Sequence, residues 1–343
     1  MEEVDDRSVH LIVTSPPYPM IEMWDEMFAQ QDPEIGEALQ AGDGERAFAL
    51  MHDQMMPVWE ECFRVLSSGG ILCLNIGDAT RNIGGQFRLF PNHAHLVNLL
   101  TDIGFDQLPG VLWRKPTNSP SKFLGSGALG LNAYVTLEHE HILIFRRGGN
   151  RTVSGDAREA RYESAYFWEE RNQWFSDVWM DLRGIRQSTG NGHADLRERS
   201  GAFPLELPLR LIEMYSIYGD TVLDPFWGTG TTSIAAAMTA RNAVGYEIDH
   251  AFRPVFDQQI RLVPQLARER NRLRLEKHRA FIRSRKSEGK QLKHLNEFYD
   301  FEVMMSQEKG IVLYDPVDVA PCDEGYAFRY QPHVEQTELL PEV

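Results

Sequence analysis

Thr221-Val222-Leu223-Asp224-Pro225-Phe226-Trp227-Gly228-Thr229-Gly230-Thr231-Thr232 reads as an apolar strand, a glycine-bearing loop and the start of a helix. The helix runs on to Thr239, and a second strand follows at Ala243–Glu247. Strand, loop, helix and strand form the repeating unit of a parallel sheet covered by helices. In such a sheet the loop at a strand's carboxyl end is where a nucleoside-bearing ligand lies, and glycines there let backbone come close to it. No Gly-Lys-Ser/Thr follows and the G-x-G-x-x-G spacing is not met, so a P-loop is excluded. Asp224 inside the loop would repel a pyrophosphate but suits a cationic amino-acid moiety such as that of S-adenosyl-L-methionine. Glu247 ends the next strand, a position from which an acid accepts hydrogen bonds from ribose hydroxyls. Taken alone, the loop is also compatible with a structural turn that holds no ligand.

Upstream, Phe203-Pro204 precede a helical spacing from Leu205 to about Ile217, ended by Tyr218-Gly219-Asp220. The first strand of the chain is His10-Leu11-Ile12-Val13-Thr14, stopped by Ser15-Pro16-Pro17-Tyr18-Pro19, because adjacent prolines neither donate to a ladder nor sit inside a helix. Residues 33–44 are rich in Pro, Gly and acids and predict a loop. Phe48, Met51, Met55, Val58, Trp59, Cys62 and Phe63 give helical spacing over Glu45–Leu66, and Ser67-Ser68-Gly69-Gly70 ends it. A strand at Ile71–Ile76, a helix at Pro91–Ile103 and strands at Leu108–Trp113 and His141–Phe145 follow. From 149 to 200 charged and aromatic residues mix without a period, which predicts an insertion with Trp168, Trp174 and Trp179 as its own small core. Beyond Gly310 only Ile311–Tyr314 suggests a strand.

The chain's 343 residues, 42% of them hydrophobic, suffice for a full-size core. It has no apolar run long enough to span a bilayer and an acidic amino terminus in place of a basic leader, so it reads as cytoplasmic, with no membrane partner. Cys62, Cys73 and Cys322 form neither a disulfide ladder nor a CxxC pair. His139 and His141 alternate along a strand in the manner of a metal pair, but a structural role is preferred and no metal is expected. Lys and Arg number 35 against 50 Asp and Glu, a net charge of −15 that by itself argues against a polyanionic partner. The charge is unevenly spread: Arg261–Lys293 holds 12 basic and 3 acidic residues, a local +9 that leaves the rest of the chain at −24. Its basic helix, Arg268–Lys293, is a solvated face, a surface along a nucleic-acid backbone, or a contact with an acidic face of a second subunit in a homodimer.

Thr14-Ser15-Pro16-Pro17-Tyr18 lies on the same rim of the sheet as the glycine loop. Its stiff diproline fixes a backbone carbonyl and the Ser15 hydroxyl, and Tyr18 offers a flat face. Such acceptors suit an amino group on a ring: two hydrogen bonds from the NH₂ draw the nitrogen lone pair out of conjugation while the aromatic ring stacks on the base. A plain proline-stabilised turn is the bland alternative for this motif alone.

In combination these motifs resemble the amino-methylating DNA methyltransferases of the permuted beta group, in which the catalytic motif precedes the cofactor motif. The likeness includes Arg64-Val65-Leu66 with Gly69-Gly70, Asn75-Ile76-Gly77-Asp78, Trp113-Arg114-Lys115-Pro116, Phe203-Pro204, Asp224 to Thr232 and Gly245-Tyr246-Glu247-Ile248-Asp249. It covers residues 7–147 and 200–262.

The resemblance implies an α/β, Rossmann-like class I methyltransferase sheet, circularly permuted with the catalytic half first. It divides the chain into a catalytic half at 1–148, a target-recognition insertion at 149–200, a cofactor-binding half at 201–262 and a basic helical extension at 263–343. S-adenosyl-L-methionine is the implied donor and double-stranded DNA the substrate. Ser15 and the Pro16 carbonyl would orient the amino group, Pro17 would stiffen the turn, and Tyr18 would stack on the extruded base. Thr14, Phe203, Pro204, Asp224, Pro225, Phe226, Gly228, Gly230, Thr231, Glu247 and Ile248 would line the cofactor site. TSPPY looks like the form found with cytosine-N4 methylation, with adenine N6 the alternative and a non-catalytic DNA-binding relative a more distant one. Methylation at cytosine carbon 5 needs a cysteine nucleophile, and the one Pro-Cys pair, at Pro321-Cys322, has no matching context.

Arg151, Arg158, Arg161, Arg171, Arg183 and Arg186 in the insertion are the expected DNA contacts. A cognate restriction endonuclease is the expected functional partner, although an orphan enzyme fits the sequence equally. Members of the family usually carry a Gly-Asp pair before the first strand where this chain has only Met1 to Arg7, which implies either that the cofactor contact is supplied otherwise or that a truncated chain is a weak enzyme, with the fold intact in both cases.

Overall fold

The computed structural model describes residues 1–115, 124–182, 203–323 and 325–334. Strands β1 (Val9–Thr14), β2 (Leu66–Ile76), β3 (Asp106–Arg114), β4 (His139–Arg146), β5 (Val178–Trp179), β6 (Thr221–Asp224) and β7 (Asn242–Gly245) form one sheet in the order β7-β6-β1-β2-β4-β3-β5. Of these, β4 alone runs against its neighbours. Near-continuous apolar runs such as Leu11-Ile12-Val13 are buried on both faces, as expected where helices cover both sides. A short helix, α1 (Pro33–Gln40), precedes the helices that cover the sheet. One face packs on α2 (Gly44–Val65) and α3 (Asn92–Ile103). Beyond α4 (Trp168–Trp174), the other face packs on α5 (Glu206–Tyr215), α6 (Thr231–Met238) and the start of α7 (Val263–Ser287).

Several expected boundaries move for identifiable reasons. The predicted loop at 33–44 contains α1: Pro33 occupies the first helical turn, where its missing N–H costs nothing, and Asp32 caps it by accepting from the Glu34 N–H at 3.0 Å. Strand β2 starts at Leu66, and the Ser67–Gly70 stretch becomes a bulge, with Val9 opposite Leu66 and Leu11 opposite Ile71. Gly69 sits there at φ +77°, and an added Cβ would lie 2.3 Å from the Arg151 backbone nitrogen. Beyond Gly310 a hairpin of β8 (Tyr314–Cys322) and β9 (Gly325–Pro332) replaces the single short strand expected.

The described part of the 149–200 insertion does not fold apart from the body. Val178–Trp179 extends the main sheet beside β3, and Trp179 is buried in the same cluster as Trp113. The Trp113 indole N–H donates to the Leu182 carbonyl at 3.0 Å, and that of Trp179 to the Trp174 carbonyl at 3.0 Å.

The basic run is equally integrated. Helix α7 buries Ala267, Asn271, Arg274, Leu275, His278 and Ile282, one face at three- and four-residue spacing. Arg270 and Arg274 reach Glu213 of α5 at 2.5 Å, and Arg274 also pairs with Glu170 of α4 at 2.6 Å. Burial alone would raise the Glu213 carboxyl, but the two guanidinium groups hold it at about 2. Part of the local +9 is therefore neutralised internally. Among the described residues no helix is long and apolar enough to cross a membrane.

Candidate active site

Parallel pairing of Leu11 with Val222 and Ile12 with Leu223 brings the ends of β1 and β6 side by side. The Thr14 hydroxyl donates to Asp224 Oδ1 at 2.7 Å, the Thr232 hydroxyl to Oδ2 at 2.8 Å, and the Phe226 N–H to Oδ1 at 3.1 Å. Asp224 is buried, which pushes its carboxyl up to about 6 against the pull of those three donors. Its first role is thus to join the two loops, with both oxygens engaged.

In the glycine loop, Gly230 at φ +76° leaves no room for a side chain, since a Cβ would approach Phe256 to 2.4 Å. Glu247 accepts from the Gly228 N–H at 2.7 Å and the Asp249 N–H at 2.9 Å. Pro225 is buried, and Phe226 packs its ring 5.6 Å from that of Trp59. The Thr231 hydroxyl lies 3.3 Å from that of Thr229, Phe203 is buried in the core with Pro204 half-buried beside it, and Ile248 is 76% exposed. Beside the edge strand β7 a cavity of about 830 Å³ is lined by Trp227, Gly245, Glu247, Asp249, Phe256, Tyr326 and Phe328. Tyr326 and Phe328 belong to the unforeseen hairpin, and their alternation in Tyr326-Ala327-Phe328-Arg329-Tyr330 was the legible sign of it.

The second loop is held as firmly. Ser15 Oγ donates to Tyr18 Oη at 3.1 Å, and Tyr18 Oη donates to Glu140 Oε2 at 3.0 Å. The Asn75 side-chain amide donates to Tyr18 Oη at 2.7 Å and to Glu140 at 2.6 Å, and Lys115 Nζ reaches Glu140 Oε1 at 2.5 Å. Burial, with the Glu140 charge, raises the Tyr18 phenol well above its ordinary value, so it stays protonated. Gly77 packs against the Tyr18 ring, where a Cβ would sit 3.0 Å away. Glu140, Lys115 and Asn75 were not assigned any role from sequence; a single acid between two histidines carries no mark of its partner.

The expected DNA contacts lie elsewhere. Arg151, Arg158, Arg161 and Arg171 line a separate groove of about 670 Å³ with His10, Gly69 and Ser216, at the amino ends of β1 and β6 and so opposite the rim that carries Ser15 and Tyr18. Arg151 is already paired with Asp220 at 2.6 Å. Arg183 and Arg186 lie outside the described residues. His141 stacks on His93 with centroids 4.0 Å apart, His93 Nδ1 lies 2.7 Å from Asp78, and donor atoms of the three come within 4.8 Å of one another. Cys62 and Cys73 are buried in the core and Cys322 ends a hairpin strand, so no thiol stands on the catalytic rim.

The sequence profile of a DNA methylase family, N6_N4_Mtase, matches residues 9–257. The Type II methyltransferase M.MthZI of Methanothermobacter thermautotrophicus is 50% identical over 318 residues, covering 92% of this chain and 88% of that protein. M.MjaI, a Type II methyltransferase of Methanocaldococcus jannaschii, is 51% identical over 271 residues, covering 76% and 88%. Among solved structures, that of TTHA0409 from Thermus thermophilus complexed with S-adenosyl-L-methionine aligns with a TM-score of 0.56 at 30% identity, covering 76% of this chain and 89% of that one.

Proposed function

Since this chain belongs to the N6/N4 amino-methylating DNA methylase family and is a DNA methyltransferase, we propose that it methylates cytosine N4 in double-stranded DNA, with Ser15, Pro16 and Tyr18 as the residues that hold the target. The observation that carries this is the Ser15–Tyr18–Glu140 chain of hydrogen bonds. Because the Ser15 proton is directed to Tyr18, the lone pairs of its oxygen are left to accept from an exocyclic amino group. The serine of TSPPY favours cytosine through the family resemblance alone.

The residues present fit S-adenosyl-L-methionine. The Gly228–Gly230 turn clears a backbone path, Glu247 keeps acceptor capacity for ribose hydroxyls beyond its two N–H partners, and exposed Ile248 offers an apolar cover for a purine. Phe226, Thr231 and the buried Asp224 would face the methionine part. When bound, the group supplies an electrophilic methyl on a sulfonium. The chain's own work is orientation: Ser15 and the Pro16 carbonyl turn the amino nitrogen's lone pair outward, Pro17 stiffens the loop, and Tyr18 stacks on the extruded base. The two Type II relatives support a cognate endonuclease as functional partner.

The test is to incubate the protein with DNA and a methyl-labelled donor, digest to nucleosides and identify the labelled base. N4-methylcytosine is the expected product; N6-methyladenine overturns the choice of base, and no labelled base with tight DNA binding identifies a non-catalytic relative.

A further inference from the structure

The excursion between β3 and β4 leaves and returns beside the base-stacking tyrosine. At its root the Lys115 N–H donates to the Glu138 carbonyl at 2.7 Å, and the Lys115 ammonium pairs with Glu140, the partner of Tyr18. Within it a short hairpin pairs Leu124 with Tyr134 and Gly125 with Ala133. The Tyr134 ring stacks on Phe87 of the neighbouring hairpin, Ala79–Phe90, with centroids 4.3 Å apart, which ties the base of this excursion to the hairpin that follows the carboxyl end of β2.

Two leucines stand out at that tip. Leu129 is 73% exposed and Leu131 88% exposed. Leu131 is held at φ +66°, a conformation a branched side chain rarely adopts, while the Ser126 hydroxyl lies 2.8 Å from the Leu129 carbonyl and 2.5 Å from that of Leu131. A strained backbone that presents apolar side chains to water is retained where those side chains have work outside the fold. The described stretch 124–137 carries no Asp or Glu, in a chain that has 50 among 343 residues, so the hairpin itself sets no like charge against a polyanion.

Removing a base from a duplex leaves a gap in the stack, and proteins that distort DNA fill such gaps with apolar wedges. We propose that Leu129 and Leu131 form this wedge, entering the stack vacated by the base that Tyr18 receives. The proposal rests on the methyltransferase reading of the Ser15–Tyr18 loop. It assigns opening of the duplex to the 124–135 hairpin, on the same rim as the catalytic loop.

The double variant Leu129→Ser/Leu131→Ser tests it, compared with wild type in single-turnover methylation of two duplexes. One is fully paired; the other carries an abasic position opposite the target base, so that the pairing that resists extrusion is already lost. The variant should be at least about tenfold slower on the paired duplex and within about twofold of wild type on the other. Equal rates on the paired duplex, or the same loss on both, overturn the wedge. An active wild type separates this failure from failure of the methyltransferase reading. A binding measurement that needs no turnover is an independent check: wild type should bind an abasic duplex more tightly than an intact one, and the variant should lose that preference. A preference absent in wild type, or retained in the variant, overturns the proposal.

Discussion

The Thr14 hydroxyl donates to Asp224 across 2.7 Å, joining the catalytic loop to the glycine loop through residues 210 apart in sequence. The bond fixes the relative height of two loops that, on the proposed reading, present a nucleophile and a donor to each other. Thr14→Val keeps the shape of the side chain but removes the donor. It should cost about 1–3 kcal/mol in urea unfolding, because a buried carboxylate loses a partner. It should also raise KM for the donor.

The Asp224 carboxyl, raised to about 6, ties stability to pH. Its folded value lies above the unfolded one, so the folded state binds the extra proton. Stability associated with this group is therefore present below about pH 4 and lost as pH rises through about 6, a difference of roughly 3 kcal/mol. Asp224→Asn should lack this contribution, and the difference between the two unfolding curves from about pH 4 to 7 measures it. Binding a ligand with a cationic amino group should pull the carboxyl down and release about half a proton at pH 6 and almost none at pH 8. Calorimetry in buffers of different ionisation enthalpy reads that release.

Tyr18→Phe and Tyr18→Ala separate two duties of one ring. Phenylalanine keeps the face that stacks on a base and breaks the chain from Ser15 to Glu140 together with the bond from Asn75. Alanine removes the stack, worth about 1–3 kcal/mol, so single-turnover transfer should fall roughly tenfold to a hundredfold below that of the phenylalanine variant. Ser15→Ala should lower transfer by about a hundredfold while donor binding stays intact, as expected of a contact made to the reacting nitrogen.

Arg274 is buried between Glu170 and Glu213 and links the basic helix α7 to both α4 and α5. Arg274→Ala should destabilise the protein by about 3–5 kcal/mol, since it strands carboxylates away from water. The loss should appear in the unfolding midpoint. The salt dependence of DNA affinity should keep its slope, because this guanidinium is not available to a phosphate.

Both functional loops were legible in the sequence because each is an abrupt end to an apolar strand, and position in a parallel sheet then places them on one rim. What escaped was long-range. Glu140 is recognisable only through Tyr18 and Lys115, which approach from other strands, and Tyr326 reaches the cavity beside β7 from a hairpin whose strands contain Pro316 and Pro321. Arg151, Arg158, Arg161 and Arg171 look alike in sequence to any DNA contact, but the return of the chain to the amino ends of β1 and β6 decides which rim they occupy. Pro33 misled because its composition suggests a loop while its position starts a helix.

Strand β1 precedes the other strands of the sheet in sequence, yet it lies in the interior of the sheet between β2 and β6. One of its edges pairs soon after emergence; the other, along Leu11-Ile12, waits for Val222-Leu223. A nascent chain therefore carries an apolar open edge through most of its synthesis, a template for unwanted strand pairing, and folding must be slow because so many contacts are distant in sequence. The same delay is protective. Neither loop has the other beside it until residue 224 is made, so on the proposed reading a chain that stops short of that residue holds no complete site for methyl transfer.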